Sequence, residues 1–354
     1  MISRIMTSAP SSALSDYSVR VRRSIEDVDR EAWNSFVDRT SRSTVFHRVE
    51  WLAAVENGLG ADPYHLAVYK DDNLIGILPQ FKMAVPKSPF YQLRSSYPGF
   101  GGPVIGTDHS DVLTALLTQT AELCGGRTIL HEIRACDPEY LRYHDRLQSA
   151  GYQPARYKGR FVLDLTRSYD SILAGMGRGR RRGIERSKEV EHHIDDGPVT
   201  RERLARFYRS YREHIRDVGG MPYPFSFFEE LAAMDEHLLL IDVTIDGEYV
   251  GGFLELLDVS RSLIHGFFFA IPARFRHYNA PELMYDHVIR WGIDNGFDAY
   301  DFGGAVGNFE NGIFQFKQGF GGRLMPNLYW ERGFGAGWPI VKAGRSLYLR
   351  GRTS

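Results

Sequence analysis

Cysteine is scarce in this chain of 354 residues: Cys124 and Cys136 stand alone, in no metal-ligand spacing. They read as buried reduced thiols, and so low a count suits a cytoplasmic protein rather than a disulfide-stapled one. His265 and His277 lie too far from any cysteine or acidic pair to suggest a metal, so none is expected. An excess of one charge is missing too. Lysine and arginine number 43 and aspartate and glutamate 44, a net charge of −1, so any attraction to nucleic acid or membrane must be local. No window approaches the roughly 18 apolar residues of a membrane span, nor does the N-terminus carry the apolar core of a signal peptide. Residues 1–17, rich in serine and alanine, are expected to be disordered.

What is present is ordinary in bulk and repetitive in detail. A hydrophobic share of 43% and a charged share of 25% fit a soluble globular chain, and the length favours two domains. His65–Phe81 and Leu240–Leu256 read as two copies of one β-hairpin. Val68 and Val243, Asp71 and Asp246, Ile75 and Val250, and Gly76 and Gly251 are each 175 positions apart. Each copy has an apolar strand, a turn of Asp-Asp-Asn or Asp-Gly, and an apolar strand opening on glycine. An amphipathic helix precedes each hairpin, at Val49–Asn57 and Phe225–Ala233. A long helix follows, at Asp111–Cys124 and Pro281–Asn295, then a strand, then a helix at Pro138–Ala150 and Phe309–Gly319. Such order points to duplicated units over residues 18–158 and 159–330, with a tail at 331–354 packing on the first.

The fourth helix differs most between the copies. LRYHDRLQSAGYQ is polar and ordinary, whereas Phe297–Gly322, FDAYDFGGAVGNFENGIFQFKQGFGG, holds seven glycines, six phenylalanines and one lysine, Lys317. A lone cation among apolar residues loses solvation and needs a reason, although a lysine reaching from a helix to water is its commonest fate. Gly303 and Gly304 follow a strand end, where glycine permits close approach to the backbone.

These motifs, with FHRVEWL at Phe46–Leu52 and RSSYPGFGGP at Arg94–Pro103, resemble the FemAB/FemX-like transferases, which carry a BioF2-like acetyltransferase domain. The likeness covers nearly all of Val45–Trp330 and is most specific in FKxGFGG. It implies an α/β (α+β) chain of two tandem GNAT-like acetyltransferase-fold units, each a mixed central sheet flanked by helices. It also implies transfer of an acyl or aminoacyl group to an amine of a cell-envelope precursor, peptidoglycan or polysaccharide. Lys317 of the Phe316-Lys317 pair would then stand at the transfer site.

Acyl transfer to an amine passes through an oxyanion, which needs a cation or donor beside it and a route for the amine's proton. Lys317 is the candidate cation. Asp301 is read as taking a proton or orienting the amine, with a loop-stabilising turn as the alternative. Glu255 is read as a base, or else as part of a solvated strand face. Gly303, Gly304 and Gly307 would permit close backbone approach by the acyl group, or form a simple loop, and Phe316 is a substrate-binding candidate. Acetyltransferases of this fold hold CoA pyrophosphate on a glycine-rich loop before the long helix. Here that stretch is Arg274-Phe-Arg-His277-Tyr278-Asn279, with His277 and Asn279 where the glycines should stand, which leaves a weakened anion site and makes CoA doubtful.

The run from Arg178 to Lys188, including Arg181 and Arg182, is either a solvated helix face or a site for a polyanion. Fitting polyanions are a tRNA acceptor stem, a lipid diphosphate or a CoA phosphate; general nucleic-acid binding is not expected. Tyr97 and Tyr223, beside prolines, are placed on exposed loops lining a sugar or acyl groove. No cofactor is fixed by the sequence, and the donor is an aminoacyl-tRNA or an acyl-CoA. A lipid-linked acceptor and peripheral contact with the inner membrane face, through Arg345, Arg350 and Arg352, complete the expectation. The rival readings are a CoA-dependent N-acetyltransferase of amino sugars and a non-catalytic binder of a lipid-diphosphate glycan.

Overall fold

The computed structural model describes residues 17–350 apart from Ser96, 107–109 and 156–157. The expected disordered lead before Tyr17 and the side chains of Arg345, Arg350 and Arg352 lie outside the described residues. Strands of the first half are β1 (Ser18–Arg22), β2 (Asp62–Pro63), β3 (His65–Lys70), β4 (Asn73–Leu78), β5 (Phe81–Ala84), β6 (Tyr91–Arg94), β7 (Val104–Ile105), β8 (Thr128–Ala135) and β9 (Gln153–Pro154). The second half adds β10 (Lys158–Asp164), β11 (His192–Asp195), β12 (Leu238–Ile245), β13 (Glu248–Asp258), β14 (Leu263–Ala270), β15 (Ala299–Val306) and β16 (Arg323–Gly333).

Both hairpins form with the same local chemistry. Asp71 and Asp72 in one turn, and Asp246 and Gly247 in the other, all take positive φ, as two-residue turns matching strand twist require. Val68 pairs with Gly76 and Val243 with Gly251, and each ladder slips by one residue just after that valine. Further along, each half holds one parallel pair, β6 with β8 and β14 with β15. Arg94 faces Glu132 in the first and His265 faces Asp301 in the second, a cation opposite a carboxylate each time.

The halves are not separate sheets. β1, β3, β4 and β7 form a four-stranded sheet, and the other strands join in one large sheet ordered β11-β12-β13-β14-β15-β10-β16-β8-β6-β5-β2, with β9 also on β16. β10 lies between β15 and β16. β16 pairs with β10 through Arg323–Asn327 and then with β8 through Leu328–Gly333. Its last residues therefore belong to the ladder of the first half.

Apolar packing joins the halves as well. Trp51, on the helix Val49–Ala53, meets Phe227 at 5.8 Å and Phe267 at 5.2 Å between ring centroids. A Cβ on Gly58 would stand 2.5 Å from the Phe227 Cα, so the two amphipathic helices touch through backbone. Phe227 and Phe228 are core residues.

The two long helices, Ser110–Leu123 and Ala280–Asp294, have the expected lengths, but the later helix of each half is shorter than its periodicity predicts. Phe309–Gly319 contracts to Gly312–Gln318 because the Asn311 side chain accepts from Ile313 N and Phe314 N and fixes the start there. Pro138–Ala150 divides into a 3₁₀ turn, Pro138–Tyr143, and a helix, His144–Ser149.

Candidate active site

β14 and β15 run side by side only over Leu263–His265 and Ala299–Asp301, then part. The fork has a glycine on each arm. Gly303 sits at φ +76°, and a Cβ there would lie 2.7 Å from the Gly266 carbonyl oxygen and 3.6 Å from Lys317 Nζ. Any side chain would thus close the fork against the lysine.

Lys317 arrives on the short helix Gly312–Gln318, whose aromatic residues aim it. Phe314 packs on Phe161 at 4.9 Å and Phe316 on Tyr285 at 5.9 Å, and Lys317 Nζ donates to the Gly304 carbonyl at 2.9 Å. Lys317 as a residue is half-buried. Burial lowers its pKa to about 8, against the opposing pull of Asp301 and then Glu255.

Asp301 is buried at the floor of the fork. Its carboxylate accepts from Arg160 at 2.9 Å and from the Gly303 amide at 2.9 Å, with His265 Nδ1 at 3.4 Å. Burial alone would raise its pKa; the Arg160 guanidinium, then His265, hold it down at about 2. A group so held stays anionic at neutral pH and its contacts are to the frame of the fork. Arg160 also donates to the Cys136 carbonyl of the first half at 2.7 Å. His265 lies between Asp301 and Asp258, and these two anions raise its pKa despite complete burial. Asp258 accepts from Val45 N at 3.0 Å and pairs with Arg261, which donates to the Thr40 carbonyl at 2.6 Å. A buried chain of charges thus runs from fork to first half.

Glu255 is buried rather than part of a solvated face. One carboxyl oxygen accepts from the Tyr300 hydroxyl at 3.0 Å and the other has no partner among the described residues. Burial raises its pKa to about 8, so it is a neutral acid at pH 7. A raised carboxyl pKa means stability present below the unfolded value of about 4.5 and lost as pH climbs through about 8. Glu255→Gln, which carries no charge, should therefore gain stability relative to wild type between about pH 5 and pH 9, by a few kcal/mol. Chemical denaturation at both pH values checks this; a constant difference would refute it.

The other candidates fall into three groups. Arg274 is paired with Glu213, His277 Nδ1 contacts the Arg274 carbonyl at 2.8 Å, and the His277 ring lies on Tyr278 at 4.0 Å. Ala273–Tyr278 is a 3₁₀ turn, with Asn279 at φ 52° starting the long helix Ala280–Asp294. That helix's first turn is largely buried and carries Glu282, which pairs with Arg180 at 2.5 Å.

Arg181 and Arg182 lie on the basic helix Arg178–Ser187 and differ. Arg181 donates to the Ala174 and Met176 carbonyls, closing the preceding helix, whereas Arg182 is exposed. Tyr97 and Tyr223 meet each other, and neither is a free loop residue: both are half-buried. Tyr97 lies between the guanidinium groups of Arg94 at 5.0 Å and Arg134 at 5.5 Å, and Tyr223 packs on Phe227.

Sequence reasoning missed Arg160, Asp258, Tyr300, Arg180 and Glu282, and weighed His265 only as a metal ligand. For Arg160 a signal existed: an arginine inside the apolar strand GRFVLDL must find a buried partner. Arg180 lies over the Phe316 ring at 4.3 Å and so links the basic helix to the lysine helix.

Residues 173–318 match a family described as an acetyltransferase (GNAT) domain. Over 56 residues the chain is 39% identical to aminoacyltransferase FemB of Staphylococcus epidermidis; this covers 14% of the chain and only 13% of that relative. Among solved structures, FemX superposes with a TM-score of 0.68 at 14% identity, covering 87% of this chain and 96% of that one. The C-terminal domain of a putative lysylphosphatidylglycerol synthetase from Agrobacterium fabrum gives 0.61 at 10% identity, over 92% and 96%. A tandem GNAT protein from the clavulanic acid biosynthesis pathway gives 0.57 at 9%, over 90% and 99%. At such identities these structures speak for the fold. The class is an α/β chain of tandem GNAT-like units, with a GNAT acetyltransferase domain in its second half. The resemblance to the FemAB/FemX-like transferases, read from the motifs, is borne out.

Among the described residues no group of histidine, cysteine and carboxylate side chains is arranged to hold a metal, and no helix is long and apolar enough to cross a membrane.

Proposed function

We propose that this chain is an N-acyltransferase or aminoacyltransferase that acylates an amine of a cell-envelope precursor, peptidoglycan or polysaccharide, in the cytoplasm. The observation that carries the reading is the Lys317 ammonium group at the mouth of a glycine-armed fork, where it donates to the Gly304 carbonyl. The donor carbonyl enters between Gly303 and Gly304, and the acceptor's neutral amine attacks its carbon. As the C–N bond forms, the carbonyl electron pair becomes an oxyanion facing Lys317, which is protonated below about pH 8. The nitrogen then loses its proton, the bond to the leaving group breaks, and the leaving atom takes a proton.

Asp301 acts in this scheme as a positioning residue, fixing Gly303, while Glu255 and Tyr300 form the neutral wall of the fork. We assign transfer to residues 159–330 and acceptor binding to residues 18–158. Glu282 at the long helix's start and the Arg274–Glu213 pair favour an aminoacyl-tRNA donor over acyl-CoA, because the diphosphate's usual seat already holds a carboxylate.

A thermal-shift titration with acetyl-CoA should accordingly give no dose-dependent rise in Tm, and a clear rise would overturn the donor assignment. Mass spectrometry of envelope precursors from cells with and without the protein should reveal one acyl or aminoacyl substituent present only with it. Identical precursor profiles would overturn the acceptor assignment.

A further inference from the structure

Lysine is the minority cation of this chain: seven of its 43 basic residues are lysine and the other 36 are arginine. Arginine keeps its charge at any pH a protein meets, whereas a lysine that loses solvation can release a proton and become an amine nucleophile. Lys70, Lys87, Lys158, Lys188 and Lys342 are exposed, and Lys82 lies against the rings of Tyr64 and Tyr91. Lys317 differs from all six. It forms no ion pair among the described residues, and its Nζ is held by a backbone carbonyl, that of Gly304, at 2.9 Å.

The fork decides what that nitrogen can reach. A Cβ on Gly303 would stand 3.6 Å from Nζ and one on Gly304 would meet nothing within 4 Å, so bare backbone and open space lie before the amine. A carbonyl oxygen bonded to Nζ brings its own carbon within about 3–3.5 Å of the same nitrogen, the separation of a near-attack pair. Around the amine stand Asp301 on β15, Glu255 on β13 and, over the neighbouring Phe316 ring, Arg180 of the basic helix. Burial outweighs the pull of Asp301 and then Glu255 and brings the pKa to about 8. About a tenth of the side chain is then neutral at pH 7, against roughly one part in a few thousand for an exposed lysine.

We propose that Lys317 is itself an acyl acceptor: when no substrate amine occupies the fork, its neutral amine takes the acyl group from an activated ester or thioester and remains as an amide. The nitrogen lone pair forms the bond to the carbonyl carbon. The bond from that carbon to the leaving oxygen or sulfur breaks, the leaving atom keeps the electron pair, and the nitrogen gives its proton to water. The amide carries no positive charge and a single N–H, so the modified fork no longer neutralises an oxyanion. A donor that arrives without an acceptor thereby shuts the site. That consequence rests on the acyl-transfer reading, whereas the reactivity of the lysine does not.

Treatment of the full chain with p-nitrophenyl acetate, followed over time by peptide mass spectrometry, tests this. Near neutral pH, Lys317 should gain its acetyl group at least about tenfold faster than Lys70, Lys87 or Lys342. Its rate should level off above about pH 9, where the exposed lysines still gain speed; Glu255 titrates in the same range, so the midpoint belongs to the two groups together. Lys317→Arg should lose the fast phase of p-nitrophenolate release at unchanged Tm, while slow labelling of the other lysines continues. Acetylation of Lys317 no faster than that of the exposed lysines, or a fast phase that survives in Lys317→Arg, would overturn the proposal. A chain that acylates an envelope precursor yet leaves Lys317 unlabelled loses this proposal and keeps the transfer reading. One that labels first at Lys317 but leaves precursor profiles unchanged does the reverse.

Discussion

Lys317→Ala should lower acyl transfer by about 10²–10³-fold or more, the usual consequence of removing a donor that faces a developing oxyanion. The loss should fall on kcat, because the ammonium is tied to the Gly304 carbonyl until the oxyanion forms and is engaged chiefly in the transition state. Stability should hardly change, since the helix is started by Asn311 and anchored by Phe314, Phe316 and Phe320 rather than by the lysine. In the wild type, transfer should decline as pH rises past about 8, where the buried ammonium surrenders its proton. Single-turnover rates across that range, with Tm measured alongside, decide the matter; an alanine variant turning over within a few-fold of wild type would remove the basis of the enzymatic reading.

Arg160→Met should be the most damaging change to stability, at about 3–5 kcal/mol, because it leaves Asp301 charged and buried without its principal partner. The loss should show a particular pH signature. Asp301 has a depressed pKa, so its contribution is present above the unfolded value of about 3.8 and vanishes as pH falls through about 2. Wild type and variant should therefore converge in acid. Replacing both partners, Arg160→Met with Asp301→Leu, should recover much of the stability while leaving Gly303 unsupported and transfer impaired. Denaturant titrations at neutral pH and below pH 3 check both points; an Arg160→Met protein as stable as wild type would show that the buried pair is dispensable.

Much of this was legible before any coordinates. The two hairpins announce themselves because their turns need residues tolerant of positive φ, and Asp71-Asp72 and Asp246-Gly247 supply them. The fork was legible as Gly303-Gly304 after an apolar strand, and Lys317 as a lone cation among phenylalanines. Asp301 stands out in the sequence as a proton acceptor, an amine-orienting group or a turn residue, not as half of a buried ion pair. A sequence shows a carboxylate at a strand end, but not the arginine 141 positions earlier that fixes its charge. Tyr97 and Tyr223 were read as exposed because prolines flank them; their mutual contact depends on how two distant loops meet. The stretch from Arg274 to Asn279 reads as a weakened anion site because His277 and Asn279 stand where glycines should, but the sequence does not show that Arg274 pairs with Glu213. Glu282, which pairs with Arg180 at that helix start, looks in the sequence like any acid in a first helical turn. Pairings between distant segments are what periodicity and turn chemistry leave undetermined.

The path of β16 bears on how the duplicated chain behaves as a whole. With one strand closing a ladder in each half, and β10 seated beside it, a cut between the repeats would strand unpaired edges in both fragments. Neither piece should then fold alone, and co-expressed pieces should recover a fold only by reassembling.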